Sequence, residues 1–360
     1  MRILHFIYDH INNPWIGGGG AVRAYEIYKR LSKSGHSITV VSGRYPSISN
    51  YSEGSLDFIF VGNPSNYPLS TFRYAFESCK LLKTFSKDYD IVIEDFAPWN
   101  PILSFRIKNK KAVLLQIQSY LGREILKKYN FFGIPFYLAE RVYPGLFDNH
   151  LFISPSLRDK FKQRGAVISN GISKDLLDSE ANTGDCPAFL GRIDVRTKGI
   201  DTLIEAMEIL KVPIKVAGSG RDIKIFLKMI DGQENIQWVG IVRGEAKKDF
   251  LKKMQFLILP SRYEGQGIVV LEAAACGKPV IVSDIPELRY AVDAGFGISF
   301  KTGNARDLAD KIRFLSENEP LRKEMGAKAR DYARDYTWDK IALDYEKLLA
   351  DIVSRGGKGP

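Results

Sequence analysis

Residues 256–283 read FLILPSRYEGQGIVVLEAAACGKPVIVS, and this run divides into three parts. FLILP is a short continuous apolar stretch of the kind that forms a buried strand. GIVVLEAAACG is bounded by glycines and long enough for a helix, and KPVIVS turns β-branched again. Strand, glycine turn, helix and strand make a βαβ unit, which commits the strands around it to a parallel sheet. Two carboxylates stand on either side of the turn. Glu264 lies in the loop just before Gly265 and Gly267, whereas Glu272 lies inside the helix, within IVVL-AAAC.

Working outward, the pattern repeats in both directions. PAFLG, PIKVAG, IQWVG and FGISF read as further strands of the second half, with IDTLIEAMEIL and EAKKDFLKKM as helices. The first half opens with RILHFIY, a glycine cluster and the helical AVRAYEIYKRLSKSG. HSITVVSG, DFIFVG, DIVIEDF, KAVLLQIQ and HLFIS follow as strands. PSLRDKFKQRG then starts with a serine cap and proline at the first helical position. Two consecutive alternations predict two doubly wound α/β domains with a cleft between them. The boundary is expected near VISNGIS, where an apolar strand meets Asn-Gly and a helix restarts, giving domains 1–171 and 172–337. The helix TWDKIALDYEKLLADIVS opens a last segment, 338–360, whose RGGKGP end reads as a flexible tail.

A chain of 360 residues is too long for one ordinary core and suits this two-domain division. Its 45% hydrophobic and 26% charged residues exclude disordered and fibrous classes. No apolar run reaches the ~18 residues of a spanning helix, and MRILHFIYDH meets charge too early for a secretory signal. Cys79, Cys186 and Cys276 are far apart and lack CxxC spacing, which fits a reducing cytosol and excludes the usual cysteine zinc patterns. The net charge of +10 is uneven: 22 basic face 13 acidic residues through Ile172, against 30 and 29 beyond it. A basic first half suits an anionic partner or a solvated basic face. The sequence carries no helix-turn-helix, RNA-recognition signature or basic stripe interleaved with aromatics, so a nucleic-acid role has little beyond charge behind it.

Ligands of open α/β sheets bind at the carboxyl ends of the strands. Three stretches fall there. The GGGG at 17–20 opens the first helix, where free amides and the helix dipole favour an anion; a mobile surface loop is the plainer reading. It does not satisfy GxGxxG, since Val22 and Arg23 occupy the positions of the third glycine. GRIDVRTKGIDTLIEA places Arg192 and Lys198 after a strand ending at Gly191. A guanidinium and an ammonium together suit a diphosphate, against a reading as solvated charge. In the third stretch, Gly267 leaves amides 267–269 at the strand ends, another anion site. Glu272 is five residues further, about 7.5 Å along the axis. An ionised carboxylate in apolar surroundings is costly unless hydrogen-bonded, and vicinal hydroxyls of a ligand would bond it. The plainer reading makes Glu264 a surface loop residue and Glu272 an exposed helix position.

The motif EGQGIVVLE resembles the E-x7-E signature of retaining glycosyltransferases of family 4. GGGGAVRAYEIYKRLSKSGHSITVVSG, FISPSLRDKF, VISNGIS and GRIDVRTKGIDTLIEA resemble that family's other segments in the same order, over nearly the whole chain. The resemblance implies the GT-B architecture: α/β, with two Rossmann-like domains facing across a cleft, the last helix crossing back to the first. It implies transfer of a sugar from a nucleotide-diphosphate donor to a hydroxyl of a glycan, lipid-linked or small-molecule acceptor. Glu264, Arg192 and Lys198 would be catalytic. Gly18, Gly19, Gly191, Glu264, Gln266, Gly267, Ile268 and Glu272 would bind the donor, with Glu272 on the ribose and Glu264 at the sugar. No cofactor or metal is expected, and Glu94 and Asp95 have no second carboxylate group at ligand spacing.

Two departures stand out. The family's loop often runs Gly-Gly-x-Glu, where this chain has Ala21, Val22 and Arg23 after Gly20. The family's histidine after the fifth strand falls on Gln118, with Gln116 as the other candidate; an amide holds a hydroxyl but exchanges no proton near neutral pH. His5, His10, His36 and His150 do not replace it. A catalytically silent nucleotide-sugar binder and another GT-B enzyme, such as an epimerase or a phosphorylase, are the alternatives; E-x7-E speaks against the epimerase, and a phosphorylase needs a longer chain. The basic runs RIKNKK (106–111) and RDKFKQR (158–164) flank the aromatic YNFFGIPFYLAERVYPGLF, which suits either an anionic membrane surface or a helix closing the first core. The expected location is cytoplasmic, peripheral at the inner membrane face, with no nucleic-acid partner.

Overall fold

A computed structural model describes residues 1–178 and 184–356. The expected tail falls largely on 357–360, outside the described residues. The chain forms two compact units: residues 1–170 with 339–360, and residues 171–338.

The first unit holds an eight-stranded sheet built from β1 (Arg2–Phe6), β2 (Ser37–Gly43), β3 (Tyr51–Glu53), β4 (Leu56–Val61), β5 (Ile91–Asp95), β6 (Ala112–Ile117), β7 (His150–Phe152) and β8 (Ala166–Val167). Their order is β3-β4-β2-β1-β5-β6-β7-β8. All neighbours are parallel except β3, which pairs antiparallel with β4 at the edge. The sheet interior is the apolar set read from the sequence, with Ile3, Leu4, Phe6, Ile91, Val92, Leu114 and Leu115 fully buried. Two features differ from the sequence reading. YSE forms β3, too polar and short to stand out. VISNGIS contributes only the end of a two-residue strand and is followed by a short 3₁₀ turn, Lys174–Leu176, in place of a helix.

The second unit contains β9 (Cys186–Leu190), β10 (Ile214–Ala217), β11 (Ile236–Trp238), β12 (Met254–Leu259), β13 (Val280–Ser283) and β14 (Gly297–Phe300). They run parallel in the order β11-β10-β9-β12-β13-β14. The opening stretch is here β12, the helix Ile268–Ala275 and β13. Gly277 ends that helix at φ +68°, and its amide bonds the carbonyl of Ala274. Strand ends approach so closely that side chains are excluded. A Cβ on Gly218, at φ +130°, would stand 1.8 Å from the Gly191 carbonyl oxygen.

The first unit encloses a polar ring. His5 Nδ1 meets Tyr28 Oη at 2.9 Å, Tyr28 Oη meets Tyr345 Oη at 3.2 Å, and Tyr345 donates to Gln116 Oε1 at 3.2 Å. Gln116 Nε2 donates to Asp95 at 2.9 Å, and Asp95 lies 3.7 Å from His5 Nε2. Tyr345 belongs to the last helix, Trp338–Ser354. Arg23, within the stretch where this chain departs from Gly-Gly-x-Glu, turns inward over the Tyr345 ring and donates to the Ser169 carbonyl. Burial lowers its pKa to about 10 against the pull of Tyr345 and Asp95.

The ring sets opposed pH dependences. Burial, helped by Arg23, lowers the His5 pKa to about 3, so folding loses stability as pH falls from about 6.5 towards 3. Burial raises the Asp95 pKa to about 7 despite donors from Gln116 and Gln118, so folding gains stability as pH falls from about 7 towards 4. Each slope is worth at most about 1.4 kcal/mol per pH unit, and they offset where they overlap. Asp95→Asn removes one of them. The unfolding free energy of wild type minus that of Asp95→Asn, from urea titrations, should be larger at pH 4.5 than at pH 6.5; a constant difference contradicts the assignment.

Candidate functional site

The second unit gathers its charges where β9 and β12, adjacent strands, end. Beyond β9, Asp194 accepts from the Thr197 amide at 2.9 Å and caps a single turn, Val195–Lys198. Burial alone would raise the Asp194 pKa, but the Thr197 bonds and the Arg221 and Arg192 cations hold it below the ordinary carboxylate range. Gly199 then leaves the turn at φ +63°. Its backbone lies so near Pro260, the first residue past β12, that a Cβ would come 2.0 Å from the Pro260 carbonyl oxygen. Helix Ile200–Leu210 follows.

The turn carries Lys198 to Glu264. Their side chains form an ion pair, and Ser261 Oγ donates to the same Glu264 oxygen at 2.8 Å. Glu264 is 9% exposed and Lys198 15%, so Glu264 is not the surface residue of the plainer reading. Arg262 locks the two loops. Its amide donates to Thr197 O at 2.9 Å, and its guanidinium holds Asp201 through two bonds of 2.8 and 2.9 Å. Gln266 is buried, and its carbonyl accepts from Tyr290 Oη at 3.1 Å. Gly267 takes φ +76° as the cap of Ile268–Ala275, which lets the chain turn straight into the helix.

Glu272 lies one turn and a half into that helix, and Lys247 Nζ reaches its Oε1 at 2.6 Å. Lys247 comes from the helix Gly244–Lys253 and is 34% exposed, against 12% for Glu272. Both carboxylates of the motif thus face an ammonium group. Arg192 is exposed, and the Gly191 amide is spent on the Ala217 carbonyl. That bond removes Gly191 as an amide donor to a ligand, because a parallel ladder continues to the end of β9.

Gly18, Gly19 and Gln118 belong to the first unit. Gly18 precedes helix Gly19–Lys33, and its amide donates to Asp9 Oδ2 at 2.8 Å. The open amide expected at Gly18 is therefore corrected: a carboxylate from the loop after β1 satisfies it, as helix N-termini demand. Gln118 follows β6, donates to Asp95 through Nε2 and lies against Gly20. Among the histidines, His10 is enclosed by Tyr45 and Tyr51, each hydroxyl 3.0 Å from a ring nitrogen, and burial lowers its pKa to about 4.

Sequence reasoning missed Lys247, Ser261, Asp9 and the role of Asp95. Ser261 stood in the quoted stretch, three residues before Glu264. Nothing local pointed to Lys247, which is brought to Glu272 from another helix. Among the described residues, no group of three or more His, Cys, Asp and Glu side chains could hold a metal, and no helix is long and apolar enough to cross a membrane.

Comparison with known proteins covers the same stretches. Residues 183–332 match the family model described as glycosyl transferases group 1. An uncharacterized glycosyltransferase of Methanocaldococcus jannaschii is 26% identical over 98% of this chain and 99% of its own. A phosphatidyl-myo-inositol mannosyltransferase of Mycobacterium leprae is 28% identical over 53% of this chain and 54% of its own. The solved sucrose-phosphate synthase of Thermosynechococcus elongatus superposes with a TM-score of 0.83 at 17% identity, over 99% of this chain and all of that one. Anabaena HepE in complex with UDP gives 0.72 at 15% identity, over 98% and 100%.

The two lysine pairs should differ in weight. Lys198→Met strands a largely buried carboxylate, expected to cost about 3 kcal/mol. Lys247→Met opens a pair whose lysine is a third exposed, expected to cost under about 1 kcal/mol. Chemical denaturation of the two variants compares them directly; equal losses would mean that both pairs are equally solvated.

Proposed function

We propose that this glycosyltransferase, whose two doubly wound units are the GT-B fold, is a retaining family 4 enzyme using a nucleotide-diphosphate sugar. The observation that carries the reading is the grouping of Lys198, Glu264, the Gly267 helix start and Glu272 at the ends of β9 and β12. The spacing of the two glutamates supports family 4, and UDP in the HepE structure supports a nucleotide donor. The acceptor hydroxyl belongs to a glycan, a lipid-linked sugar or a small molecule.

In this reading the diphosphate lies against Arg192, Lys198 and the first amides of Ile268–Ala275, beside Gln266 and Gly267. These groups offset the negative charge that develops as the bond from C1 to the phosphate oxygen breaks. The acceptor oxygen bonds C1 on the same face, and its proton passes to the leaving phosphate, which is why the reaction needs no histidine base. The cations supply the charge, so neither a metal nor a cofactor is called for. Lys198 must share its ammonium between Glu264 and the phosphate, and Glu272 must exchange Lys247 for the ribose hydroxyls or hold both. In the first unit, Gln118 holds a sugar or acceptor hydroxyl, and Gly18 and Gly19 are the glycines with a ligand role.

Kinetics with the best donor from a panel of UDP-, GDP- and ADP-hexoses test this division. Glu272→Ala should mainly raise donor KM, because ribose contacts count equally in ground and transition states. Glu264→Gln should mainly lower kcat, on the order of a hundredfold. Near-wild-type values for both would mean the pair is structural. Nucleotide-sugar binding without turnover by the wild type would favour the silent relative.

The reading includes a cytoplasmic, peripheral place on an anionic membrane surface. Its support is a set of large apolar side chains of the first unit that stay exposed. Phe131 and Phe132 are 68% and 69% exposed, and Leu138 and Val142 are exposed on the helix Ile134–Val142. Phe72 and Phe76 are exposed on Tyr67–Phe85, among Arg73, Lys80 and Lys83. The basic run 106–111 contributes less than its composition suggests. Lys108 pairs with Asp148, and Lys111 donates to the carbonyls of Lys87 and Tyr89. Sedimentation at low salt should pellet the protein with anionic vesicles and not with zwitterionic ones, and Phe131→Ser/Phe132→Ser should weaken it. Equal recovery in both supernatants rules the surface out.

A further inference from the structure

The first sheet reverses its order between β1 and β5: β1 leads outward to β2, and β5 to β6. Ligands of doubly wound sheets are held in such a crevice. Around it stand Asp9 beyond β1, Asp95 as the last residue of β5, Gln118 beyond β6, and the helix start at Gly18–Gly20. Asp95 Oδ2 accepts from Gln116 Nε2 and from Gln118 Nε2. The Gln118 amide lies where a Cβ on Gly20 would come 3.0 to 3.2 Å from its atoms, so Gly20 leaves it room.

A carboxylate accepts hydrogen bonds and donates none, while a glutamine amide has one accepting and one donating end. Gln116 shows the consequence: its nitrogen faces Asp95 and its oxygen accepts from Tyr345. Gln118 is under the same constraint, with no tyrosine among the described residues bonded to its other end. We infer that Asp95 is a positioning residue that holds the Gln118 nitrogen and so leaves Gln118 Oε1 as the acceptor offered to a substrate hydroxyl. The inference rests on the acceptor-side role of Gln118 proposed above and adds what determines its polarity. The site then selects a ligand group that donates, a hydroxyl, over one that only accepts, such as a phosphate oxygen.

The constraint holds while Asp95 is ionised. Its surroundings are Asp9 beyond β1, His5 on β1, Arg23 and Tyr28 on the first helix, Gln116 and Gln118 on β6 and just past it, and Tyr345 on the last helix. Burial and Asp9 favour the neutral form, the two glutamines and Arg23 the charged one, and the balance lies at about 7. A protonated Asp95 can donate, and the amide is then free to turn.

The test is Asp95→Asn beside the double variant Asp95→Asn/Gln118→Glu. In Asp95→Asn the amide pair can adopt either polarity, so kcat/KM for the acceptor should fall tenfold or more with donor KM within twofold. In the double variant the amide introduced at position 95 can donate to one oxygen of the new carboxylate and leave the other for the ligand, so at least threefold of the loss should return. A purely structural role predicts no such rescue. Wild-type turnover in Asp95→Asn, or a double variant no better than the single, overturns the inference and leaves the donor-site reading standing. Wild-type turnover in Gln118→Ala overturns both readings of that residue. A readout that needs no substrate is the side-chain amide signal of Gln118 in ¹⁵N-glutamine-labelled protein, identified by its loss in Gln118→Ala. It should shift with a midpoint near pH 7 in the wild type and stay flat in Asp95→Asn; a flat wild-type signal overturns the inference even if the single variant fails to fold.

Discussion

The seam between the loops that follow β9 and β12 is the constraint on which the second unit turns. Two adjacent parallel strands bring their ends side by side, and there the backbones nearly touch at Gly199 and Pro260. Such contact leaves no room for a side chain at Gly199, and the loops are joined by two ion pairs, Arg262 with Asp201 and Lys198 with Glu264. The first pair braces the loops. The second, largely withdrawn from water, leaves a cation and a carboxylate that only a polar ligand can improve upon. A site built in this way is prepared for charge before any ligand arrives, which is the property that electrostatic catalysis requires.

The first unit deals with buried carboxylates differently. Glu94 is surrounded by donors: the amides of Ile102 and Ser104, the Ser104 hydroxyl and Tyr143. Glu140 takes the amides of Leu121 and Gly122 at 2.8 and 2.6 Å. Each pins a loop in which backbone donors would otherwise be unsatisfied, and burial raises the pKa of each even so. Asp95 differs from both in that its partners are side-chain amides at the carboxyl ends of interior strands, movable groups in place of fixed backbone.

The legible part of this protein was the part encoded locally. Buried parallel strands are continuous apolar runs, so β1, β5, β6, β12 and β13 could be read singly, and the glycine turn between β12 and its helix stood out beside them. β3 could not, because YSE is short and polar and exists only as the edge partner of β4. The same division holds for the candidate site. Glu264, Glu272, Lys198 and Arg192 lie in stretches whose residue types and order resemble a family. Their partners do not. Lys247 meets Glu272 across 25 residues, and Asp95 meets Gln118 across 23, by contacts that exist only once the sheets are assembled. The Gly18 amide follows the same division: the loop alone suggests a free helix amide, and the carboxylate that accepts from it is nine residues back.

The buried polar ring has a consequence for how the protein is made. Its members are residues 5, 28, 95, 116 and 345, and Tyr345, Leu349 and Ile352 are buried parts of the first unit. A ribosome finishes residues 171–338, an uninterrupted stretch, before it has made the helix that the earlier unit needs. The unit translated first is therefore completed last, reversing the usual order in which domains fold from the N-terminus. Until then Tyr28 and Gln116 lack their partner, so the nascent first half must wait with polar groups facing an unfilled position.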